Sequence, residues 1–235
     1  MVQEQRIAGN LGTVFNRADG REGGLVIDQA LLQAIGIDLE GRRHVLGLSV
    51  SRSEAEVHWR EFLQSLVERG LSGVRLITSD HHAGLEAARK AVFPSVPWQR
   101  CQFHLQQNAS QYVTRIEQRK EVAGDLRAVF NAPSRVEADR LLAAVVKQYT
   151  ESAPRLSEWM EANVYQGLSV MSFPVEHQKR LRTTNLNERI NRELKRRTRV
   201  VGIFPNAASL ERLATAVLME IDEDWQSGMR YLTFP

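Results

Sequence analysis

Val74-Arg-Leu-Ile-Thr-Ser-Asp80-His-His-Ala-Gly-Leu-Glu-Ala-Ala-Arg-Lys-Ala-Val-Phe93-Pro94 is the stretch whose reading decides the fold. The short apolar run Val74–Thr78 predicts a strand that ends at Ser79-Asp80. The helical spacing that follows predicts a helix from about His81 to Phe93, stopped by Pro94. Ligands in such folds collect outside the carboxyl ends of strands, so Asp80 is the best-placed acid of the chain. A second reading of the same residues is local: Ser79 or Asp80 as the cap of the helix that follows.

Working outward, Val96–Cys101 reads as a further strand. Upstream, Leu25–Ile37 and His44–Val50 read as two strands joined by a turn at Asp38-Leu-Glu-Gly41, a β-hairpin. Between hairpin and quoted stretch, Ser53 with Glu56 forms a capping-box pattern, and Trp59, Phe62, Leu63, Leu66 and Val67 recur at helical spacing until Gly70. Strands alternating with helices predict an α/β sheet with helical crossovers, part of it parallel. After Cys101 strand signals stop. Residues 105–170 read as an all-α insertion, with Ser134 and Glu137 as another capping box. The chain closes on two helices, one from Leu186 to about Arg197 and one carrying Leu210, Ala214, Val217, Leu218 and Trp225 on one stripe. Residues 1–24 show no clear period.

The 235 residues, 43% hydrophobic and 25% charged, suffice for one large or two small domains. The most apolar stretch, around Leu213–Met219, is far short of the roughly 20 residues that cross a bilayer, and the start carries no export signal; a cytoplasmic protein without membrane partner is expected. The single cysteine, Cys101, excludes an internal disulfide.

Charge is uneven. The net charge is only +3, yet nine basic residues between Lys179 and Arg199 face two acids, Glu188 and Glu193, giving this segment +7. Such a stripe suits a polyanion, and the bland alternative is a solvated helix face. On the basic helix, Leu186, Ile190 and Leu194 define the buried side and turn Glu188 about 200° away from it, among Arg189, Arg192 and Lys195. The local alternative is a capping box, Asn185-x-x-Glu188. Cys101-x-x-His104, with His81 and His82 elsewhere, is a weak zinc signal, because no second cysteine pair accompanies it. No phosphate-binding glycine loop and no Gly-x-Ser-x-Gly elbow are present, which removes most of the case for nucleotide or ester hydrolysis.

Several of these segments resemble one family. Gly41-Arg-Arg-His-Val-Leu-Gly-Leu48, Gly73–Leu85, Phe93-Pro-Ser-Val-Pro-Trp-Gln-Arg-Cys-Gln-Phe-His104, Thr183-Thr-Asn-Leu-Asn-Glu-Arg-Ile-Asn-Arg-Glu-Leu-Lys-Arg-Arg197 and Asp224–Tyr231 are similar, in order, to the mutator-type bacterial insertion-sequence transposases. The resemblance implies an RNase H-like mixed sheet flanked by helices, with an all-α insertion before the last catalytic helix. It implies an Asp-Asp-Glu triad holding two Mg²⁺ ions, with Mn²⁺ as a substitute. Asp80 matches the second aspartate, Glu188 the glutamate, Cys101 and His104 the family's Cys-x-x-His, and His82 its histidine near the site. The 108 positions from Asp80 to Glu188 leave room for the insertion. Hard Mg²⁺ prefers carboxylate oxygens, and paired ions can activate a hydroxyl and stabilise a leaving oxygen at phosphorus. Arg182, Arg189, Arg192, Lys195, Arg196, Arg197 and Arg199 are the expected contacts to double-stranded DNA at transposon ends.

One part of the pattern departs. The family's first aspartate, in an Asp-Ala-x-Tyr context, falls in register near Val14-Phe15, where none stands. The nearest acids are Asp19, in a glycine-flanked turn, and Asp28 in the next strand. The expectation is a truncated, catalytically impaired chain, with residues 1–24 unrelated to the family, 25–104 the first part of the core, and 171–235 completing it. Loss of an opening strand would leave the Leu25–Ile37 strand with a bare edge and favour self-association. An inert fragment that binds DNA or oligomerises with intact transposase is the competing function, and a zinc-stabilised structural protein is a third.

Overall fold

The computed structural model describes residues 6–20 and 25–233. The chain forms two compact units, one made of Met1–Pro97 and Thr184–Pro235, the other of Trp98–Thr183. The architecture is mixed α/β, as the alternation of strand and helix signals predicts.

In the first unit β1 (Arg6–Gly20), β2 (Leu25–Asp38), β3 (Arg43–Ser51) and β4 (Ile77–Ser79) lie side by side in the order β3-β2-β1-β4. β1 runs antiparallel to β2, with Val14 opposite Leu31 and Asp19 opposite Val26. It runs parallel to β4, with Gly9, Asn10 and Leu11 opposite Ile77, Thr78 and Ser79. The bare edge expected beside β2 is therefore not there, and Asp19 stands in a strand, not a turn. The residues that form β1 lack alternation, with glycines at 9 and 12; the strand is specified by partners on both sides rather than by its own pattern.

The β2–β3 hairpin forms where predicted. The Asp38 carboxylate accepts from the Arg42 backbone N–H at 2.7 Å and lies 2.6 Å from His44 Nε2. Gly41 takes φ +77°, and a β-carbon there would stand 1.8 Å from the Leu232 carbonyl oxygen, so the turn admits only glycine. A bulge between Ala34 and Ile35 brings Leu31, Ile35, Val45, Leu48 and Val50 to one face.

That face is covered by α8 (Asn185–Val201) and α9 (Ala207–Ser227), which bury Leu186, Ile190, Leu194, Leu210, Ala214 and Leu218 against it. α1 (Glu56–Glu68) covers the opposite face: Phe62 and Leu66 close over Gly47 of β3. α2 (Ala83–Val92) packs on α1 so tightly that a β-carbon on Gly84 would meet the Glu54 carbonyl at 2.3 Å. The capping box expected at Ser53 does not form. The helix opens at Ala55 without a side-chain cap, because Ser53 Oγ accepts from the Ala55 N–H, and Glu56 pairs with Arg60 one turn on.

The second unit is helical after a short strand, β5 (Trp98–Arg100). It contains α3 (Gln102–Ala109), α4 (Ile116–Phe130), α5 (Arg135–Tyr149), α6 (Pro154–Asn163) and α7 (Val175–Leu181). Leu105, Leu126, Val129, Leu156 and Met160 lie at its core. Here the expected cap is present: Ser134 Oγ accepts from the Glu137 N–H at 3.2 Å. Buried Gln99 stitches β5 to the turn after α6, donating to the Gly167 carbonyl and accepting from the Val170 N–H, each at 2.8 Å.

Candidate active site

Asp80 is the residue after β4 and is exposed to solvent. α2 begins at Ala83 behind its N-cap residue His82, whose own side chain makes no cap, and Ser79 Oγ donates to the Asp80 carbonyl at 2.9 Å. The Asp80 carboxylate accepts a hydrogen bond of 3.0 Å from the hydroxyl of Thr184, a residue 104 positions away.

Thr184 is the N-cap residue of α8, and it is buried. Its carbonyl accepts the Glu188 N–H at 3.0 Å, the first turn of the helix. Its hydroxyl is committed to Asp80, so the helix is capped through backbone alone. Asn185 already lies inside α8, which puts the anticipated Asn185–Glu188 capping box out of register by one residue. Asp80 and Glu188 are consequently gathered at the same end of α8, one turn apart through Thr184. Glu188 is half-buried, closer to the body of the unit than its turn away from Leu186 predicts.

The acids of the opening strands are elsewhere. Leu11 of β1 pairs with Ser79, and Asp19 follows eight residues further along the strand. At roughly 3.3 Å per residue that is about 26 Å, beyond the reach of a carboxylate. Asp28, opposite Arg17, lies at the same far end. The register near Val14 holds no acid.

Around Asp80, His82 Nε2 stands 3.9 Å from Glu54 and His81 Nδ1 3.4 Å from Glu86. Burial pushes the Glu86 carboxyl up, but the hydrogen bond and charge of Lys90, with His81 and Arg89, hold it below the ordinary glutamate value. Cys101 and His104 belong to the second unit. Cys101 is buried at the start of α3, and His104 follows one turn later, its ring edge-on to Phe103 at 5.3 Å.

The basic residues divide into groups. Arg182, in the second unit, is held by Asn131 at 2.7 Å. On α8, Glu193 binds Arg196 at 2.6 Å and Arg197 at 3.0 Å, and Arg197 reaches Glu220 of α9 at 3.3 Å. These hydrogen bonds hold the Glu193 carboxyl at about 2. Arg189, Arg192, Lys195 and Arg199 are exposed, and among the described residues no ion pair involves them.

Residue types alone did not single out three further polar groups of this unit. Thr184 is one; the Thr183-Thr184-Asn185 run signals a cap, and only the fold shows which member serves. Gln33 of β2 and Asn191 of α8 are hydrogen-bonded to each other across the sheet–helix boundary. Gln33 had a signal: it is a polar residue between Leu31 and Ile35 on an otherwise apolar face.

The first unit is thus an α/β fold in which the acid at the end of β4 is tied to the opening turn of a strongly basic helix, and the sequence comparisons place the chain in a family. Residues 16–228 match the family described as Transposase, Mutator family, and the chain belongs to that family. The transposase for insertion sequence element IS406 of Burkholderia multivorans is 57% identical over 211 residues, 90% of this chain and 54% of that protein. The transposase for ISRM5 of Rhizobium meliloti is 41% identical over 90% of the chain and 53% of its own length. The transposase for IS256 in transposon Tn4001 of Staphylococcus aureus is 33% identical, over 91% and 55%. The chain thus spans about half the length of the curated relatives it matches. Among the described residues no helix is long and apolar enough to cross a membrane.

Proposed function

We propose that the chain is the RNase H-like catalytic region of an insertion-sequence transposase, acting on double-stranded DNA, with Asp80 and Glu188 as its metal-holding carboxylates. The observation that carries this reading is the Thr184 hydrogen bond, which ties the acid at the end of β4 to the helix bearing the other acid. Residues 105–170, within the second unit, are the helical insertion between them.

The donor set suits magnesium in part. An exposed aspartate and a half-buried glutamate one turn from a shared threonine offer hard carboxylate oxygens, and Mg²⁺ is commonly held by one or two of these, with waters and substrate phosphates completing the shell. When bound, the ion supplies charge stabilisation at phosphorus. Asp80 and Glu188 would hold it, Thr184 would orient the Asp80 carboxylate, and the free cations of α8 would hold phosphates. Two-metal chemistry asks for a further carboxylate on β1 beside Asp80, and the only acid in Arg6–Gly20 is Asp19, eight residues off register.

That missing acid favours an impaired enzyme: a chain that binds DNA and a single divalent ion, and interferes with intact transposase rather than moving DNA. The test is incubation of the purified chain with labelled transposon ends and Mg²⁺ or Mn²⁺. We expect neither nicking nor joining above background. Robust metal-dependent joining, lost in Glu188→Gln, would overturn the impairment while upholding the two carboxylates.

A further inference from the structure

The basic helix is not uniformly available to a polyanion. We infer that the phosphate backbone of a DNA duplex follows one line on α8, Arg192, Lys195 and Arg199, which begins at Glu188, and that Arg196 and Arg197 serve the interior of the protein instead. The inference rests on the DNA-processing reading above and specifies its contact surface.

Helix geometry supplies the first argument. At 100° per residue, Arg192, Lys195 and Arg199 all fall within about 40° of Glu188 around the axis, so the three cations and the carboxylate form one longitudinal row. At 1.5 Å per residue the cations extend over about 10.5 Å, which matches about three phosphate steps of one strand at ~3.4 Å of axial rise each. All three are exposed, and among the described residues none is engaged in an ion pair.

Charge compensation supplies the second. Arg196 and Arg197 share Glu193, and Arg197 also reaches Glu220, so their charge is answered within the α8–α9 pair. The groove between these helices is lined by Glu193, Glu220 and Asp224 together with Arg189, Arg192, Arg196 and Arg197, so a phosphate entering there meets three carboxylates. Arg192 borders that groove too, but among the described residues it makes no ion pair. On the helix surface the acid in line with Arg192, Lys195 and Arg199 is Glu188, at the end where the metal-holding site is proposed. A backbone laid on the row is therefore led toward Asp80 and Glu188 and held by cations that, among the described residues, no ion pair engages.

The test measures binding of the whole chain to a fluorescent duplex of arbitrary sequence by anisotropy, across a series of NaCl concentrations. The triple variant Arg192→Gln/Lys195→Gln/Arg199→Gln should lower the slope of log K against log salt by about 2.7, three phosphates at ~0.9 each. Arg196→Gln/Arg197→Gln should leave the slope within about 0.5 of the parent while lowering the melting temperature. Thermal melting of the triple variant checks that it folds; should it not, Lys195→Glu alone should lower the slope by about 1. A slope loss in the Arg196/Arg197 pair equal to or above that of the triple variant overturns the inference, as does an unchanged slope in a folded triple variant. In both cases parent binding keeps the DNA reading intact. A parent chain that binds no duplex at low salt removes that reading, and this contact line with it.

Discussion

Neighbours in sequence, Asn187 and Glu188 are buried to different degrees. Glu188 is half-buried at the mouth of α8, whereas Asn187 is 2% exposed, and among the described residues neither of its amide atoms has a hydrogen-bond partner. An unsatisfied buried amide costs about 1–3 kcal/mol, so Asn187→Leu should raise the melting temperature by several degrees. A lowered melting temperature would show that the amide bonds to a buried water. Thr184 allows a cleaner separation of site from scaffold. Thr184→Val keeps shape and loses the hydrogen bond to Asp80, so divalent-ion affinity should fall about 10-fold, the low end for a residue that orients a ligand, while the fold persists. Titration calorimetry of the variant beside its melting curve checks this; full affinity in the folded variant would release Thr184 from the role. Of these residues, Asp80 and Glu188 stand out from the sequence by their types and positions. Thr184 and Asn187 do not, because which residue opens a helix and which is sealed beneath it depend on the partner surface.

At the scale of elements, the α8–α9 pair carries a pH response that the sequence does not advertise. The Glu193 carboxyl is held at about 2 by hydrogen bonds from Arg196 and Arg197, against an ordinary 4.5. A depressed carboxyl contributes stability that is present above its unfolded value and lost as pH falls toward its folded one. The contribution should therefore be complete above about pH 4.5 and fade toward pH 2. The cluster is exposed, so the effect is modest, below about 1 kcal/mol. The difference in melting temperature between the parent and Glu193→Gln should shrink from about pH 5 to about pH 3; a constant difference would deny the ion pairs a part in stability. The hairpin β2–β3 was legible because Leu31, Ile35, Val45 and Leu48 repeat on one face and the Asp38–Gly41 turn punctuates them. β1 was not. Its glycines and scattered polar residues resemble a loop, and its strand state comes from backbone pairing with β2 and β4, which no single-strand pattern encodes.

At the scale of the molecule, the chain leaves the first unit after Pro97 and returns at Thr184, the residue that opens α8 and binds Asp80. The two candidate carboxylates bracket that excursion, which is why residues 108 positions apart both stand at the opening end of α8. The shift from strand to helix signals after Cys101 made the excursion visible in sequence. What could not be read was the return point, since the basic helix continues an already helical region without a break in composition. The measurement that bears most directly on this account is Mn²⁺ binding to the full chain, followed by electron paramagnetic resonance, in the parent and in Asp80→Asn and Glu188→Gln. Joint ligation predicts one bound ion per chain in the parent and a loss of at least tenfold in affinity in each variant. Binding that persists undiminished in both would mean that Asp80 and Glu188 do not share a metal.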